Sequence, residues 1–108
     1  MSQIDTFKAM LERGKDNEML RFTLGNAYFS DGQASLAIEH LRKAVEFKPD
    51  YSAAWKVLGR ALAADNRLAD ALEAFDKGLA VVEVNGDKQT GKEIGVFRKR
   101  VVKQLEDA

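Results

Sequence analysis

Cysteine is absent from the 108 residues, and histidine occurs once, at position 40. These scarcities exclude disulfides, thiol nucleophiles and nearly every zinc or haem site. Basic and acidic residues number 17 each, so no net charge draws the chain toward nucleic acid or a lipid surface. No apolar run approaches the roughly 18 residues of a membrane-spanning helix. We therefore expect a cytoplasmic protein with no cofactor, no small-molecule substrate and no membrane segment.

The chain contains a single proline and few runs of β-branched residues, which favours an all-α protein. Apolar residues recur at helical spacing, as at Leu58, Ala61 and Leu62. Glycine, asparagine and aspartate clusters interrupt this pattern and leave loops short enough to force neighbouring helices antiparallel. The six predicted helices cover residues 3–13, 17–30, 34–47, 52–64, 68–84 and 87–106.

The chain resembles itself when it is shifted by 34 residues. Leu24 then falls on Leu58, and Glu39 falls on Glu73. A helix-turn-helix that recurs with this period is typical of a solenoid repeat. The other coincidences are Gly25 with Gly59, Ala27 with Ala61, Asp31 with Asp65, Ala37 with Ala71, and Lys43 with Lys77.

Small residues at equivalent positions predict where helices approach one another closely, because larger side chains then fill the flanking grooves. Two of them, Ala44 and Gly78, are expected where one unit stacks on the next. The glycine and the alanine of each unit are expected to face each other, in the pairs Gly25–Ala37 and Gly59–Ala71.

The two predicted turns inside the units are also equivalent. Gly32 and Asn66 occupy the same place in the repeat, and both residue types tolerate the left-handed backbone that ends a helix. Their alignment supports the 34-residue register.

These residues together resemble the tetratricopeptide repeat. The resemblance implies a right-handed α-solenoid of antiparallel helix pairs, as one domain over residues 1–108. It divides the chain into an N-terminal capping helix (3–13), two repeats (18–51 and 52–85) and a C-terminal capping helix (87–106). Arg21 departs from the pattern at the place of Trp55, and we find no Trp-Leu-Gly signature in the last helix. The residues that carry the resemblance are Leu24, Gly25, Tyr28, Ala37, Leu41, Ala44 and Pro49 in the first unit, and Trp55, Leu58, Gly59, Ala71, Phe75 and Gly78 in the second.

The resemblance also implies a function, since proteins of this family bind peptides or partner helices on the concave side, lined by the first helix of each unit. We therefore expect a non-catalytic interaction module, similar to an adaptor or a co-chaperone. Two interpretations of Phe22 are open: an exposed anchor for a partner, or a side chain packed on Phe7 and Met10. The candidate groove residues are Met19, Phe22, Asn26, Phe29, Lys56 and Arg60.

One subclass of the family holds the C-terminal carboxylate of heat-shock chaperones with lysines, asparagines and an arginine. Asn26 matches one asparagine position. Phe22 stands where the first lysine belongs, however, and Val57 stands where the second asparagine belongs. We therefore do not expect this carboxylate clamp.

An enzyme is not expected, because catalysis needs converging groups with shifted pKa values. Helical periodicity predicts that His40 points toward solvent. Asp70 and Glu73 are predicted to form surface ion pairs with the basic residues near them. Asp87 is predicted to cap the last helix rather than to belong to a phosphate loop.

Two alternatives to partner binding remain at this point. Val96 and Val102 lie off the main apolar stripe of the last helix, so a two-fold homodimer is one alternative. Nucleic-acid binding through Arg98, Lys99 and Arg100 is less favoured, because these residues spread over about 200° of a helix with 3.6 residues per turn.

Overall fold

The computed structural model describes residues 2–108, and this part of the chain forms six α-helices without a β-strand. The all-α prediction is confirmed, and every predicted helix end lies within one residue of the observed end. Met1 lies outside the described residues. The helices are α1 (Gln3–Glu12), α2 (Glu18–Ser30), α3 (Ala34–Phe47), α4 (Ser52–Ala64), α5 (Leu68–Asn85) and α6 (Lys88–Asp107).

The helix ends follow from capping and turn chemistry. Asn17 precedes α2, and its Oδ1 accepts a hydrogen bond of 2.8 Å from the Leu20 amide. Asp87 caps α6 in the same way through the Thr90 amide, as predicted. Gly32 (φ 77°) and Asn66 (φ 60°) both adopt the left-handed conformation, which confirms the predicted equivalence of the two turns.

The helices stack in chain order as antiparallel neighbours joined by short loops. Helix α2 packs on α3, α3 on α4, α4 on α5, and α5 on α6. The first helices of successive units, α2, α4 and α6, also contact one another in that order. Within residues 2–108, α1 contacts α2 and no other helix, so it lies at one end of the stack while α6 lies at the other.

The core lies between the two layers of helices and contains most of the repeat-defining side chains. Trp55 is half-buried, and its indole Nε1 donates a 2.7 Å hydrogen bond to the carbonyl of Pro49, which is exposed. This bond ties the loop before α4 to the helix. The fully or nearly buried members of the set are Leu24, Gly25, Tyr28, Ala37, Leu41, Ala44, Leu58, Gly59, Ala71, Phe75 and Gly78.

The glycines of the two units face larger side chains than predicted. A Cβ on Gly59 would overlap the ring of Phe75, and one on Gly25 would approach Leu41 Cγ to 2.6 Å. The second helix thus inserts a large side chain over each glycine, and the glycine makes room for it. The predicted pairing of Gly25 with Ala37 is confirmed, because the Ala37 carbonyl oxygen would lie 3.3 Å from a Cβ on Gly25, whereas the three atoms nearest to a Cβ on Gly59 all belong to Phe75. The predicted close approach at Gly78 is confirmed, because a Cβ there would lie 2.8 Å from Ile94 Cδ1 of α6.

Helix α6 carries the repeat pattern with an offset that a fixed spacing of 34 misses. Helix α5 has 18 residues where α3 has 14, whereas the loop that follows α5 is two residues shorter than the loop after α3. As a result, α6 begins 36 residues after α4, and Ile94-Gly95 takes the place of Leu58-Gly59. As predicted, α6 has no Trp-Leu-Gly signature, but Ile94-Gly95 has the same order of a large apolar residue followed by glycine, which the spacing of 34 did not align.

Candidate peptide-binding groove

The neighbouring surfaces of α2, α4 and α6 form a groove with an aromatic and basic floor. We call this surface the Arg60 groove and define it by Phe29, Lys56, Arg60, Phe97 and Arg100. The three helices lie side by side because each is the first helix of its unit, so side chains at similar heights meet across the groove.

The Arg60 guanidinium lies between two aromatic rings. Its Cζ is 5.0 Å from the ring centroid of Phe29 on α2 and 4.5 Å from that of Phe97 on α6. Arg100 adds a second guanidinium 5.5 Å from the Phe97 centroid. Attraction between a guanidinium and an aromatic face holds such a side chain in place without neutralising its charge. A cavity of about 220 Å³, also lined by Ala63, adjoins these groups.

Arg60 and Arg100 have no carboxylate partner in the part of the chain that the structure describes. None of the six ion pairs formed by residues 2–108 includes either of them. A guanidinium has five N–H donors and binds carboxylates in a bidentate manner. The Arg60 groove therefore offers two positive charges to an outside acceptor.

Lys56, one of the candidate groove residues, is paired with an acidic residue of α6. Its Nζ lies 3.1 Å from Glu93 Oε1 on α6, and its side chain is only 20% exposed. This ion pair closes the groove one turn before Arg60 and connects α4 to α6. Ser52 and Asp87 make a second connection between the same helices, with a 2.7 Å bond from the Ser52 hydroxyl to the Asp87 carboxylate.

The other candidate residues lie away from this cluster. Phe22 is half-buried against Tyr51, with ring centroids 5.0 Å apart, and this aromatic neighbour was in neither of the two predicted arrangements. Met19 is 67% exposed and lines a cavity beside α1, and Asn26 lines another cavity beside α1. The structure thus brings Phe29 and Arg60 together but separates them from Met19 and Asn26.

His40 is not a free surface histidine, so that prediction is wrong. Its Nδ1 lies 3.0 Å from Arg21 Nη1, and its ring stacks on Tyr28 at 5.4 Å. Arg21 also holds the Asp16 carboxylate through two bonds of 2.8 and 2.9 Å. Burial lowers the pKa of His40, and the adjacent Arg21 charge lowers it further. The periodicity argument missed this contact because Arg21 replaces the tryptophan of the pattern and reaches α3.

The predicted surface pairs are confirmed on the outer helix. Arg67 lies 3.2 Å from Asp70, and Lys77 lies 3.4 Å from Glu73. Residues 2–108 contain no group of three or more histidine or acidic side chains placed to hold a metal ion. None of the helices in this same range combines the length and the apolar character needed to cross a membrane.

Glu93, Phe97 and Arg100 were not predicted to be parts of the groove. The signal that could have found them is the Ile94-Gly95 pair, since it places α6 two residues out of the 34-residue register. In the corrected register Phe97 corresponds to Ala61, and an aromatic at that point reaches Arg60 on the preceding helix.

A family model for the tetratricopeptide repeat matches residues 22–83, which is more than half of the chain. The chain belongs to the tetratricopeptide repeat family. A tetratricopeptide repeat-containing protein of Pseudomonas aeruginosa is 46% identical over 98 residues, which cover 91% of this chain and 93% of that protein. The family assignment therefore rests on sequence over nearly the whole chain.

Solved structures of tetratricopeptide repeat proteins agree with the fold. The solution structure of a Bordetella parapertussis protein superposes with a TM-score of 0.83 at 41% identity and covers 96% of this chain and 90% of its own. The tetratricopeptide repeat domain of Sgt2 from Aspergillus fumigatus also gives 0.83, at 26% identity over 96% of this chain and 66% of that one. A Spaghetti repeat domain bound to an HSP90 peptide gives 0.81 at 20% identity over 95% of this chain and 77% of that one, which supports the fold alone.

Proposed function

We propose that this tetratricopeptide repeat protein is a non-catalytic adaptor that binds an acidic peptide segment of a partner protein in the Arg60 groove. The observation that carries the proposal is the pair of guanidiniums, Arg60 and Arg100, next to the Phe97 ring without a carboxylate from residues 2–108. Arginines and aromatics are the side chains that most often dominate protein interfaces.

The aromatic contacts make these cations suitable for binding. Because Arg60 is held between Phe29 and Phe97, less side-chain entropy is lost when a ligand binds it. Contact with the rings neutralises neither the charge nor the five N–H donors of a guanidinium, so these donors stay available to a carboxylate. The adjoining cavity of about 220 Å³ can take an apolar side chain of the same peptide.

The local charges also favour this site over the carboxylate clamp of the chaperone-binding subclass. Lys56 is already paired with Glu93. Phe22 occupies a lysine position of that clamp and packs on Tyr51. Asn26 is the one matching residue, and it lies beside α1. The groove therefore supports recognition centred on Arg60 rather than on those positions.

Nucleic-acid binding through Arg98, Lys99 and Arg100 has less support. Arg98 is already paired, because its Nε lies 2.6 Å from the Asp76 carboxylate of α5. Arg100 lies in the groove, and Lys99 is exposed on another side of α6. The three basic residues therefore do not form one patch for a phosphate backbone.

A pull-down with matched variants tests the proposal. The groove variant is Arg60→Met with Arg100→Gln, which removes both free cations and keeps the two rings. The control is Arg42→Met with Lys43→Gln, which removes two positive charges from the exposed side of α3. Both variants are first checked for native helicity by circular dichroism, and lysate of the source cell is then passed over each immobilised protein.

We expect wild type and control to retain the same partner and the groove variant to lose it. An acidic peptide taken from that partner should then bind wild type, and more weakly as salt rises. A partner retained equally by all three proteins contradicts the proposal and places recognition outside the Arg60 groove.

A further inference from the structure

The eighth residue of each first helix is a glycine, but only two of these glycines are covered. Gly25 lies under Leu41, and Gly59 lies under Phe75, each from the second helix of the same unit. A Cβ built on Gly95 would meet nothing within 4 Å among residues 2–108 apart from its own helix. The surface of α6 around Gly95 therefore corresponds to the surface that a second helix covers in the other two units, but no helix of residues 2–108 covers it.

The opposite end of the stack has the matching element. Phe7 precedes Leu41 by 34 residues and Phe75 by 68, so α1 corresponds to a second helix and Phe7 to its inserting side chain. No first helix of that unit packs on it, because α1 contacts only α2 within residues 2–108. Phe7 lines two cavities along the seam between α1 and α2, of about 390 and 280 Å³.

We propose that copies of this chain associate head to tail, with α6 of one copy in the groove between α1 and α2 of the next. Phe7 of the next copy would cover Gly95, as Phe75 covers Gly59 within one chain. Helices α6 and α1 would then complete a repeat across the interface. This inference is independent of the groove ligand proposed above.

Exposed apolar side chains at the two ends fit this arrangement. Val96 is 51% exposed and follows Arg60 by the 36-residue offset. Because Arg60 reaches Phe97 on the next first helix, Val96 would reach the equivalent residue of the next copy, Ala27. Ala27 is only half-buried and lines the larger cavity, whereas its counterpart Ala61 is fully buried within the stack.

The charges of the two helices are also complementary. Helix α6 carries six basic and three acidic residues, whereas α1 carries Asp5 and Glu12 against Lys8 alone. Both acidic residues of α1 are exposed, as are Lys92, Lys99 and Lys103 on α6. Opposite charge favours the encounter of these ends over contact between two copies of α6.

Such an interface joins different surfaces of the two partners. A heterologous contact leaves one free end on each copy, so association continues with concentration or closes into a ring, whereas a two-fold contact stops at the dimer. This differs from the two-fold homodimer through Val96 and Val102.

Sedimentation velocity of the full chain over a wide concentration range tests the proposal with Gly95→Leu as the variant. Gly95 is exposed, and a Cβ there has no contact within 4 Å outside the adjacent backbone of its own helix, so we expect the fold to be retained while the leucine fills the place that Phe7 of the next copy needs. Ala69→Leu is the control, because it places a leucine at an exposed position of α5, outside the proposed interface, without changing a charge. We expect wild type and Ala69→Leu to grow in mass with concentration and Gly95→Leu to remain monomeric.

Mixing two variants tests the geometry. Phe7→Ala removes the inserting side chain but keeps Gly95 open, and Gly95→Leu keeps Phe7. Each alone should be monomeric, and an equimolar mixture should form heterodimers, because Phe7 of the Gly95→Leu protein can cover Gly95 of the Phe7→Ala protein. The proposal is overturned if wild type stays monomeric at every concentration, if Gly95→Leu associates like wild type, or if the mixture gives no heterodimer.

Discussion

The ring of Phe75 occupies the space that a side chain on Gly59 would need. Phe75 is fully buried, and all three of the nearest atoms to a Cβ on Gly59 belong to its ring. A large side chain set over a glycine is thus the contact that joins α4 to α5. Leu41 and Gly25 form the equivalent contact between α2 and α3.

We predict opposite effects for the same substitution at two equivalent glycines. Gly59→Ala should lower the free energy of unfolding by roughly 1–3 kcal/mol, because the buried Phe75 ring cannot move away without strain. Gly95→Ala should raise it by about 0.5–1 kcal/mol, because alanine favours the helix and nothing lies near the new methyl group.

Urea denaturation of both variants beside wild type measures the two effects, at a protein concentration where wild type is monomeric. Each protein serves as the control for the other, since both changes are glycine to alanine at the eighth residue of a helix. Equal shifts of both midpoints would contradict the packing difference between Gly59 and Gly95.

The repeat could be predicted from the sequence because its turns and close helix contacts require particular residue types, and these recur at a fixed spacing. Gly32 and Asn66 mark two turns, and the 34-residue spacing marks two hairpins. The longer helix α5 was predicted, as residues 68–84, but a fixed spacing of 34 could not carry its extra residues into the register of α6, where Gly95 lies two residues out of step. The predicted pairing of Gly59 with Ala71 also does not tell which large side chain of α5 lies over the glycine.

The groove could be predicted only in part, because side-chain partners on different helices are not encoded by spacing along one helix. Phe29 and Arg60 were placed on the same concave side, and they contact each other. The pairing of Lys56 with Glu93 depends on which face of α6 is turned toward α4. That face could not be predicted while α6 was aligned two residues out of register. His40 was misplaced because its partner, Arg21, departs from the family pattern.

The His40 contact predicts a pH dependence of stability. Burial and the adjacent Arg21 hold the pKa of His40 below its ordinary value of 6.5. Since the unfolded chain then takes up the proton first, this contribution is fully present above about pH 6.5 and is lost as the pH falls from there to the folded-state pKa. Wild type should therefore lose stability relative to His40→Gln on mild acidification, measured by urea denaturation at several pH values. A constant difference between the two proteins would show that His40 titrates alike in both states.

The ion pair between Lys56 and Glu93 should contribute modestly to stability. Its members are 20% and 41% exposed, so solvent screens their attraction, and a coupling of about 0.5–1 kcal/mol is expected for such a pair. A double-mutant cycle of Lys56→Met and Glu93→Gln measures it, and the coupling should shrink at high salt. The exposed pair of Lys43 with Glu46 is the control, and its coupling should be near zero. A salt-independent coupling would mean that the Lys56–Glu93 contact is not electrostatic.

The position of Arg60 between two rings predicts a graded response to substitution. Arg60→Met keeps the length of the side chain but removes the cation. It should lower the free energy of unfolding by about 0.5–2 kcal/mol, because the site is partly desolvated. Arg60→Lys keeps the charge but loses the planar group, so the stability of this variant should lie between those of Arg60→Met and wild type. Phe97→Leu measures how much the Phe97 ring contributes to stability. Its effect should be smaller in the Arg60→Met background, because the contact between the guanidinium and the ring is then already absent. Fully additive effects of Arg60→Met and Phe97→Leu in urea denaturation would show that the two side chains stabilise the groove independently, and the Arg60 guanidinium would then owe its position to Phe29 alone.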